Sequence, residues 1–352
     1  MTNKREGKAR EELIMLIKTA IETVVDGQNL TYDMALGAMR EIMNGEANEA
    51  QIGALLGALR LKGETIDEIT GFAQGMREKA MPVKHAKDVF EIVGTGGDKT
   101  NTFNISTTAG FVIAAGGIPV AKHGNRSVSS KCGAADCLEA LGVNLNVPGP
   151  ANQDVLNKVG MCFMFAPLYH SSMKYAMPVR KALGIRTVFN VLGPLTNPAG
   201  ATMQLMGVYA KELVEPMAQV LANLGVKRGA VVHGFDGLDE ITACDKTYVC
   251  EINDGKLTSY VLDPAEFGLA YAKPAELVGG DGPVNAEITR SVLNGENGSR
   301  RNAVILNAGM SFHLAEENTT LAEGIAKAAR LIDEGKALAV LEDLIAATNE
   351  VA

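Results

Sequence analysis

From residue 89 onward the chain repeats one pattern: a short apolar run of strand length, a loop rich in glycine and hydroxyls, then an amphipathic segment of helical period. This alternation constrains the fold more than any other feature. Strand–helix–strand units join parallel strands, and a parallel sheet must be covered by helices on both faces. Strands are expected at Val89–Val93, Ile118–Ala121, Val143–Val147, Met161–Phe165, Leu205–Tyr209, Ala230–His233 and Ala303–Asn307. Helices are expected at Ser106–Gly116, Asp136–Leu141, 151–159, 212–224 and 286–294, and residues 320–347 close the chain as helix. Thr247–Ile252 and Lys256–Leu262 flank Asn-Asp-Gly and read as a hairpin embedded in this domain.

Residues 11–80 have a different texture and read as helical throughout. Leu13, Ile14, Leu16, Ile17, Ala20, Ile21, Val24 and Val25 recur at helical spacing. Thr31 caps a second helix carrying Met34, Met39, Ile42 and Met43, which Gly45 ends. A third runs through Ile52, Leu55, Leu56 and Leu59 to Gly63, and Thr65 with Glu68 forms a capping box for a fourth. Short links between such helices imply a small antiparallel bundle. Its Met and Leu stripes serve either as core or as a surface for a partner. The fold class is therefore α/β: a small helical N-terminal domain over residues 1–88, then a large α/β domain over 89–352 with a mostly parallel central sheet.

Composition excludes several classes of function. Hydrophobic residues make up 47% of the 352 and charged residues 21%, so a large core forms and wholesale disorder is excluded. A net charge of −8 argues against a general nucleic-acid or anionic-membrane binder. The longest weakly polar run, Phe111–Ala121, is far short of the ~20 residues of a membrane span. Five cysteines with no Cys-x-x-Cys pair read as reduced thiols, and a cytoplasmic location is expected.

The chemistry sits in loops that follow strands, where open parallel sheets bind ligands. Gly94-Thr95-Gly96-Gly97-Asp98 lacks the spacing of a P-loop and of a dinucleotide fingerprint. It is either a tight turn or a set of N–H groups turned toward an anion, with Asp98 better suited to sugar hydroxyls or a metal-bridged site than to bare phosphate. Asn104-Ile105-Ser106-Thr107-Thr108 opens a helix and offers a phosphate site beyond ordinary capping. Lys122 through Lys131 gathers three cations besides His123 and three serines around Gly124, an anion site in an acidic protein. Gly234-Phe235-Asp236-Gly237-Leu238-Asp239-Glu240 presents adjacent carboxylates suited to Mg²⁺ or to acid–base work. Together the four segments describe a site for a phosphorylated, pyrophosphorylated sugar and leave the acceptor unnamed.

These segments, in this order after a helical region, resemble the anthranilate phosphoribosyltransferases of tryptophan biosynthesis. So do Pro178 to Thr187, with Arg180, and the run Asn190-Val191-Leu192-Gly193-Pro194-Leu195-Thr196-Asn197-Pro198. The glycine loop and the Lys122 segment are shared in part by nucleoside phosphorylases of the same fold, and the Arg180 segment discriminates better. The resemblance implies a nucleoside phosphorylase/phosphoribosyltransferase-like fold whose helical domain is completed by helices from about 180–200. It implies Mg²⁺ dependence and a homodimer joined through the helical domain, with no nucleic acid or membrane as partner.

It also implies roles. Gly94, Gly97, Asp98, Thr102, Asn104, Ile105, Ser106 and Thr107 hold phosphoribosyl pyrophosphate, covered by Lys122, His123, Gly124, Asn125, Arg126, Ser127, Val128, Ser129 and Ser130, with Ala134 beyond. Gly94, Asn125 and Arg180 contact anthranilate, where the guanidinium fork suits a carboxylate. Ser106, Asp239 and Glu240 ligate Mg²⁺. Lys122 and Arg180 are the expected catalytic residues, one for leaving-group charge and one for holding the nucleophile's carboxylate. Aromatic amines are unprotonated at neutral pH, so no general base is assigned. The family's usual His-Pro-Ala-Met is here His170-Ser171-Ser172-Met173, which leaves any contact by His170 open. Two rivals are a pyrimidine nucleoside phosphorylase, which needs neither Asp239-Glu240 nor Arg180, and a non-catalytic nucleic-acid binder, which the charge disfavours.

Overall fold

The computed structural model describes residues 16–85, 87–127 and 131–351. By internal contacts the chain forms two units. One takes the described residues up to Ala80 together with His170–Thr196, and the other takes Met81–Tyr169 with the chain from Asn197 onward. The returning segment thus starts at His170, ahead of the 180 expected, and the first stretch stops at Ala80, short of 88. Among the described residues no helix is long and apolar enough to cross a membrane.

The helical unit opens with α1 (Leu16–Val25), α2 (Tyr32–Asn44), α3 (Glu49–Lys62) and α4 (Ile66–Arg77). The expected caps are present. Met34 N donates to the Thr31 hydroxyl, Gly45 takes the left-handed conformation, and Thr65 and Glu68 form a reciprocal box. The Met and Leu stripes are core: Met39, Ile42, Ile52, Leu55, Leu56 and Leu59 are buried. At Gly71 an added Cβ would lie 2.5 Å from the Tyr32 carbonyl oxygen, so α4 crosses α2 at a distance only glycine permits. The returning segment adds a 3₁₀ turn at Ser171–Tyr175 and a short helix, Met177–Leu183, which packs on α3. Arg77 Nε donates to the Leu195 carbonyl.

The α/β unit is built on a seven-stranded sheet in the order β3-β2-β1-β4-β5-β6-β7. The strands are β1 (Phe90–Gly94), β2 (Val120–Gly124), β3 (Met161–Phe165), β4 (Met203–Gly207), β5 (Arg228–Gly234), β6 (Thr247–Asn253) and β7 (Lys256–Leu262). The first five are parallel, and the expected hairpin adds β6 and β7 as an antiparallel edge. Strand order runs outward from β1 on one side and from β4 on the other. The crevice between their carboxyl ends is the topological switch point at which such sheets bind ligands. Helix α5 (Ile105–Ala115), which joins β1 to β2, is buried along nearly its whole length.

Two expected strands are absent. Val143–Val147 alternates correctly, with Val143, Leu145 and Val147 buried, yet joins no ladder. Its polar groups are satisfied by side chains instead: Asn144 N donates to the Thr348 hydroxyl, and the Val147 carbonyl accepts from Tyr169 Oη. Ala303–Asn307 lies inside helix Ser299–Ala315, most of whose residues are buried. A helix enclosed on all sides shows a continuous apolar run, which periodicity cannot tell from a buried strand. The closing helix is two helices, Leu321–Asp333 and Lys336–Glu350, parted at Gly335 in the left-handed region.

Candidate functional site

Gly94 and Gly207 end β1 and β4 and are paired in register at the switch point. Both must lack a Cβ. One on Gly207 would sit 1.6 Å from the Asp239 carbonyl oxygen, and one on Gly94 would sit 2.4 Å from Asp239 Oδ2. The turn after β5 therefore lies directly on the ends of β1 and β4. Gly96 N donates to Asp239 Oδ2 at 2.6 Å. Beyond it Gly96, Gly97, Lys99 and Asn101 all have positive φ. Such a run turns backbone N–H groups into a concavity that suits an anion, and non-glycine residues held there mark a loop whose shape is imposed. Asp98 accepts from the Thr100 hydroxyl and N–H, and its charge acts on Asp239. Thr102 is half-buried and bridges to Val278.

At the start of α5, Asn104 makes no side-chain cap. Its amide is engaged sideways: Nδ2 donates to the Cys132 carbonyl, and Oδ1 accepts from Asn285 Nδ2. The Ser106 N–H is met by Glu240 Oε1 at 3.3 Å. Ile105 and Thr107 are buried, and the Ser106 side chain is half-buried.

Lys122 is 1% exposed, with Nζ donating to the Ile92 carbonyl at 2.6 Å and lying 3.4 Å from Ser106 Oγ. Burial lowers its pKa, opposed by the charges of Glu91 and Glu240. Burial raises the Glu240 carboxyl to about 7, opposed first by Lys122 and then by Ser106. Burial raises Asp239 well above the usual range, and the charges of Asp98 and Glu240 push the same way. These carboxylates crowd together with one lysine for company, a donor set short of positive charge. The oxygens of Asp239, Glu240 and Ser106 are the protein groups here that suit a hard divalent cation. Among the described residues no three His, Cys, Asp or Glu side chains are gathered closely enough to complete a metal site alone.

His123 is buried, and its N–H donates to Glu91. Gly124 packs on Ala134, the first residue of α6 (Ala134–Leu141). Arg126 is committed to Asp136 and Glu139, leaving Asn125 and Ser127 as the polar groups beside it. Asp136 also accepts from the N–H groups of Ser127 and Gly133 and so fixes the loop's base. Val128, Ser129 and Ser130 lie outside the described residues.

Arg180 belongs to the helical unit, on Met177–Leu183, and is half-buried. Its guanidinium stands 5.1 Å from the centre of the Phe189 ring, and burial lowers its pKa. Among the described residues it forms no ion pair with a carboxylate. His170 is buried in the same unit, and burial lowers its pKa to about 4, against a bond to the Thr196 backbone. Sequence reasoning missed Glu91, Asp136 and Gly207. A carboxylate inside the apolar run Val89–Val93 was the available signal for the first. The other two show only once the loops are folded.

Two family models match the chain: the helical bundle domain of a glycosyl transferase family over residues 18–80, and the a/b domain of that family over 86–338. The anthranilate phosphoribosyltransferase of Ruminiclostridium cellulolyticum is 54% identical over 95% of this chain and 98% of its own. That of Lachnoclostridium phytofermentans is 55% identical over 95% and 99%. Among solved structures, the Thermus thermophilus enzyme superposes with a TM-score of 0.89 at 43% identity, over 94% of this chain and 99% of its own. The Saccharomyces cerevisiae enzyme, solved in complex with PRPP and Mg, superposes with a TM-score of 0.87 at 28% identity, over 95% and 98%.

Proposed function

This chain belongs to the anthranilate phosphoribosyltransferase family, and from that premise we propose how its own residues divide the work. The reaction transfers the 5-phosphoribosyl group of 5-phosphoribosyl 1-pyrophosphate to the amine of anthranilate. The products are N-(5-phosphoribosyl)anthranilate and pyrophosphate, in tryptophan biosynthesis. The observation that carries the assignment is the cluster at the switch point: Asp239 and Glu240 held by the N–H groups of Gly96 and Ser106, beside buried Lys122.

We assign the phosphoribosyl pyrophosphate to the glycine loop Gly94–Asp98 and to the N-terminus of α5, where the Gly96 and Ser106 N–H groups hold the carboxylates of Asp239 and Glu240 beside it. Asp98 and Asn104 stand at the margins of that cradle, and Thr102 fixes its far end. Lys122 uses two of its three ammonium donors within the protein, which leaves one for an oxygen of the leaving group. Mg²⁺ suits the site because the protein offers two crowded carboxylates and a hydroxyl, and this ion shares its remaining positions with substrate oxygens. When bound, it supplies positive charge to the departing pyrophosphate. The protein's part is then to hold the sugar phosphate still, to exclude water by burying Lys122 and Asp239, and to present the amine in line with the anomeric carbon. Anthranilate's carboxylate is assigned to Arg180, a half-buried cation that among the described residues forms no ion pair with a carboxylate.

Two further assignments concern assembly and compartment. A second copy of the chain is proposed to bind the helical unit, which exposes Leu61 at 91% and Val25 at 66%. Five free thiols among the described residues suit a cytoplasmic enzyme.

The test follows loss of anthranilate fluorescence while Mg²⁺ is titrated at several pH values. Asp239→Asn and Glu240→Gln should each raise the Mg²⁺ needed for half-maximal rate, with partial rescue at high Mg²⁺. An unchanged Mg²⁺ optimum with an altered pH profile would assign the pair to acid–base catalysis instead.

A further inference from the structure

The turn that carries Asp239 and Glu240 is held in two ways. From the sheet it is seated on Gly94 and Gly207, as described above. It is also met by Asn307, on helix Ser299–Ala315, a wholly buried residue 66 positions from Ile241 in the chain. Asn307 Oδ1 accepts from Ile241 N at 3.1 Å, and its Nδ2 donates to the Ile241 carbonyl at 2.8 Å. The same Nδ2 donates to the Ala303 carbonyl, one turn back on its own helix, at 2.9 Å. One carboxamide thus satisfies both backbone groups of the residue that follows Glu240. Leu238 and Ile241, on either side of the acidic pair, are also fully buried.

An amide is the side chain for this task. It offers a donor and an acceptor at fixed spacing, as a strand neighbour would, and carries no charge into an already acidic pocket. The two glycines let the turn seat directly on the strand ends, and Asn307 anchors it there through Ile241. Between them the Cα positions of Asp239 and Glu240 are set before any ligand arrives.

We propose that Asn307 is a positioning residue for the reaction: it fixes the acidic pair at the geometry that Mg²⁺ and the pyrophosphate oxygens need. This rests on the reading that Asp239 and Glu240 hold the metal. Groups that orient metal ligands from behind typically contribute ~10–100-fold to metal affinity. Asn307→Leu, of similar size but without hydrogen bonds, should therefore raise the Mg²⁺ concentration for half-maximal binding of phosphoribosyl pyrophosphate by about 10-fold. Asn307→Ser keeps one uncharged hydroxyl that can serve one of these backbone groups and should fall between Leu and the native residue.

The experiment measures phosphoribosyl pyrophosphate binding by calorimetry across Mg²⁺ concentrations, with hydrogen exchange of the Ile241 amide as the second readout. Thr348→Val, which removes the hydroxyl that receives Asn144 N, serves as a variant destabilised elsewhere in the same unit. Support is a shifted Mg²⁺ requirement and faster Ile241 exchange in Asn307→Leu, neither seen in Thr348→Val. If Asp239→Asn shifts the requirement and Asn307→Leu does not, the metal reading stands and the positioning role is overturned. If neither shifts it, the metal reading itself fails and the inference falls with it. If Asn307→Leu does not fold, the Ser variant decides by the same two readouts.

Discussion

Among the described residues of the helical unit, two acidic side chains are buried, Glu41 and Glu68, and each is turned on backbone. Glu41 accepts from Ile17 N near the start of α1. Glu68 accepts from Leu30 N and Thr65 N and pairs with Lys62. In the α/β unit the buried charges include Glu91, Lys122 and Asp239. Glu91 likewise takes a backbone N–H, and Asp239 and Glu240 take those of Gly96 and Ser106, yet the last two and Asp98 still repel one another. Buried charge that faces backbone donors or an opposite charge, with no like charge beside it, serves folding. Buried charge that ends in mutual repulsion costs stability and persists where a ligand supplies the missing cation. The contrast separates a scaffold from a site without reference to any relative.

The sharpest way to break that contrast is Lys122→Met, which keeps the bulk and removes the charge. Removing one preorganised electrostatic group from an active site typically costs ~10²–10³ in kcat. Rate should fall by that order while the melting of the protein changes little. A near-native kcat would show that this lysine belongs to the scaffold after all.

Next comes Arg180→Ala, which asks whether the helical unit contributes chemistry as well as framework. Losing one partner of a charged, hydrogen-bonded pair costs ~2–5 kcal/mol, or roughly 30-fold or more in the KM for anthranilate at 1.4 kcal/mol per decade. The KM for phosphoribosyl pyrophosphate should stay close to native. An unchanged anthranilate KM would remove Arg180 from the site.

How much of this was legible differs between the units. The caps at Thr31, Gly45 and Thr65 could be read residue by residue, because helix ends are decided by neighbours in sequence. The strands ending in Gly94, Gly124 and Gly207 were found to within two or three residues, and the loops after β1, β2 and β5 were singled out by their glycines and polar residues. What failed was burial without periodicity. Ala303–Asn307 reads as strand because its helix is covered on every side, and Val143–Val147 reads as strand because it alternates, although side chains from distant elements take the place of a ladder. The commitment of Arg126 to Asp136 and Glu139, and the full burial of Thr107, depend on packing that no local pattern encodes. Met39 and Leu59 show the same limit. A stripe's spacing does not say whether it faces its own bundle or a partner, and here both are core.

A third test concerns acid. His170 has its pKa lowered to about 4 by burial, against about 6.5 in an unfolded chain. Between those values the unfolded state binds a proton that the folded state refuses, so stability rises with pH across the window and is lost as pH falls from about 6.5 toward 4. The full difference is on the order of 3 kcal/mol. His170→Gln should flatten the denaturation midpoint between pH 6.5 and 4 relative to the native chain. An unaltered slope would mean that other groups carry the acid sensitivity.

The smallest effect is expected where both units use the same local device. Thr31 caps α2 in the helical unit through one hydrogen bond to Met34 N, at 3.3 Å and exposed. Thr320 caps Leu321–Asp333 in the α/β unit through a box in which Glu323 also answers the Thr320 N–H and hydroxyl. Replacing a threonine cap by alanine typically costs about 1 kcal/mol, toward the lower end when the bond is long and wet. Thr31→Ala should therefore lower stability by roughly 0.5–1 kcal/mol. Thr320→Ala should cost somewhat more, because the box loses its hydroxyl partner and leaves Glu323 with the backbone N–H alone. Neither change touches a charge near Asp239, so kcat and both KM values should stay native. Chemical denaturation of the two variants beside the native chain measures the difference. Should Thr31→Ala lower kcat as well, the helical unit's framework would be coupled to the chemistry, and the division between scaffold and site drawn above would have to be abandoned.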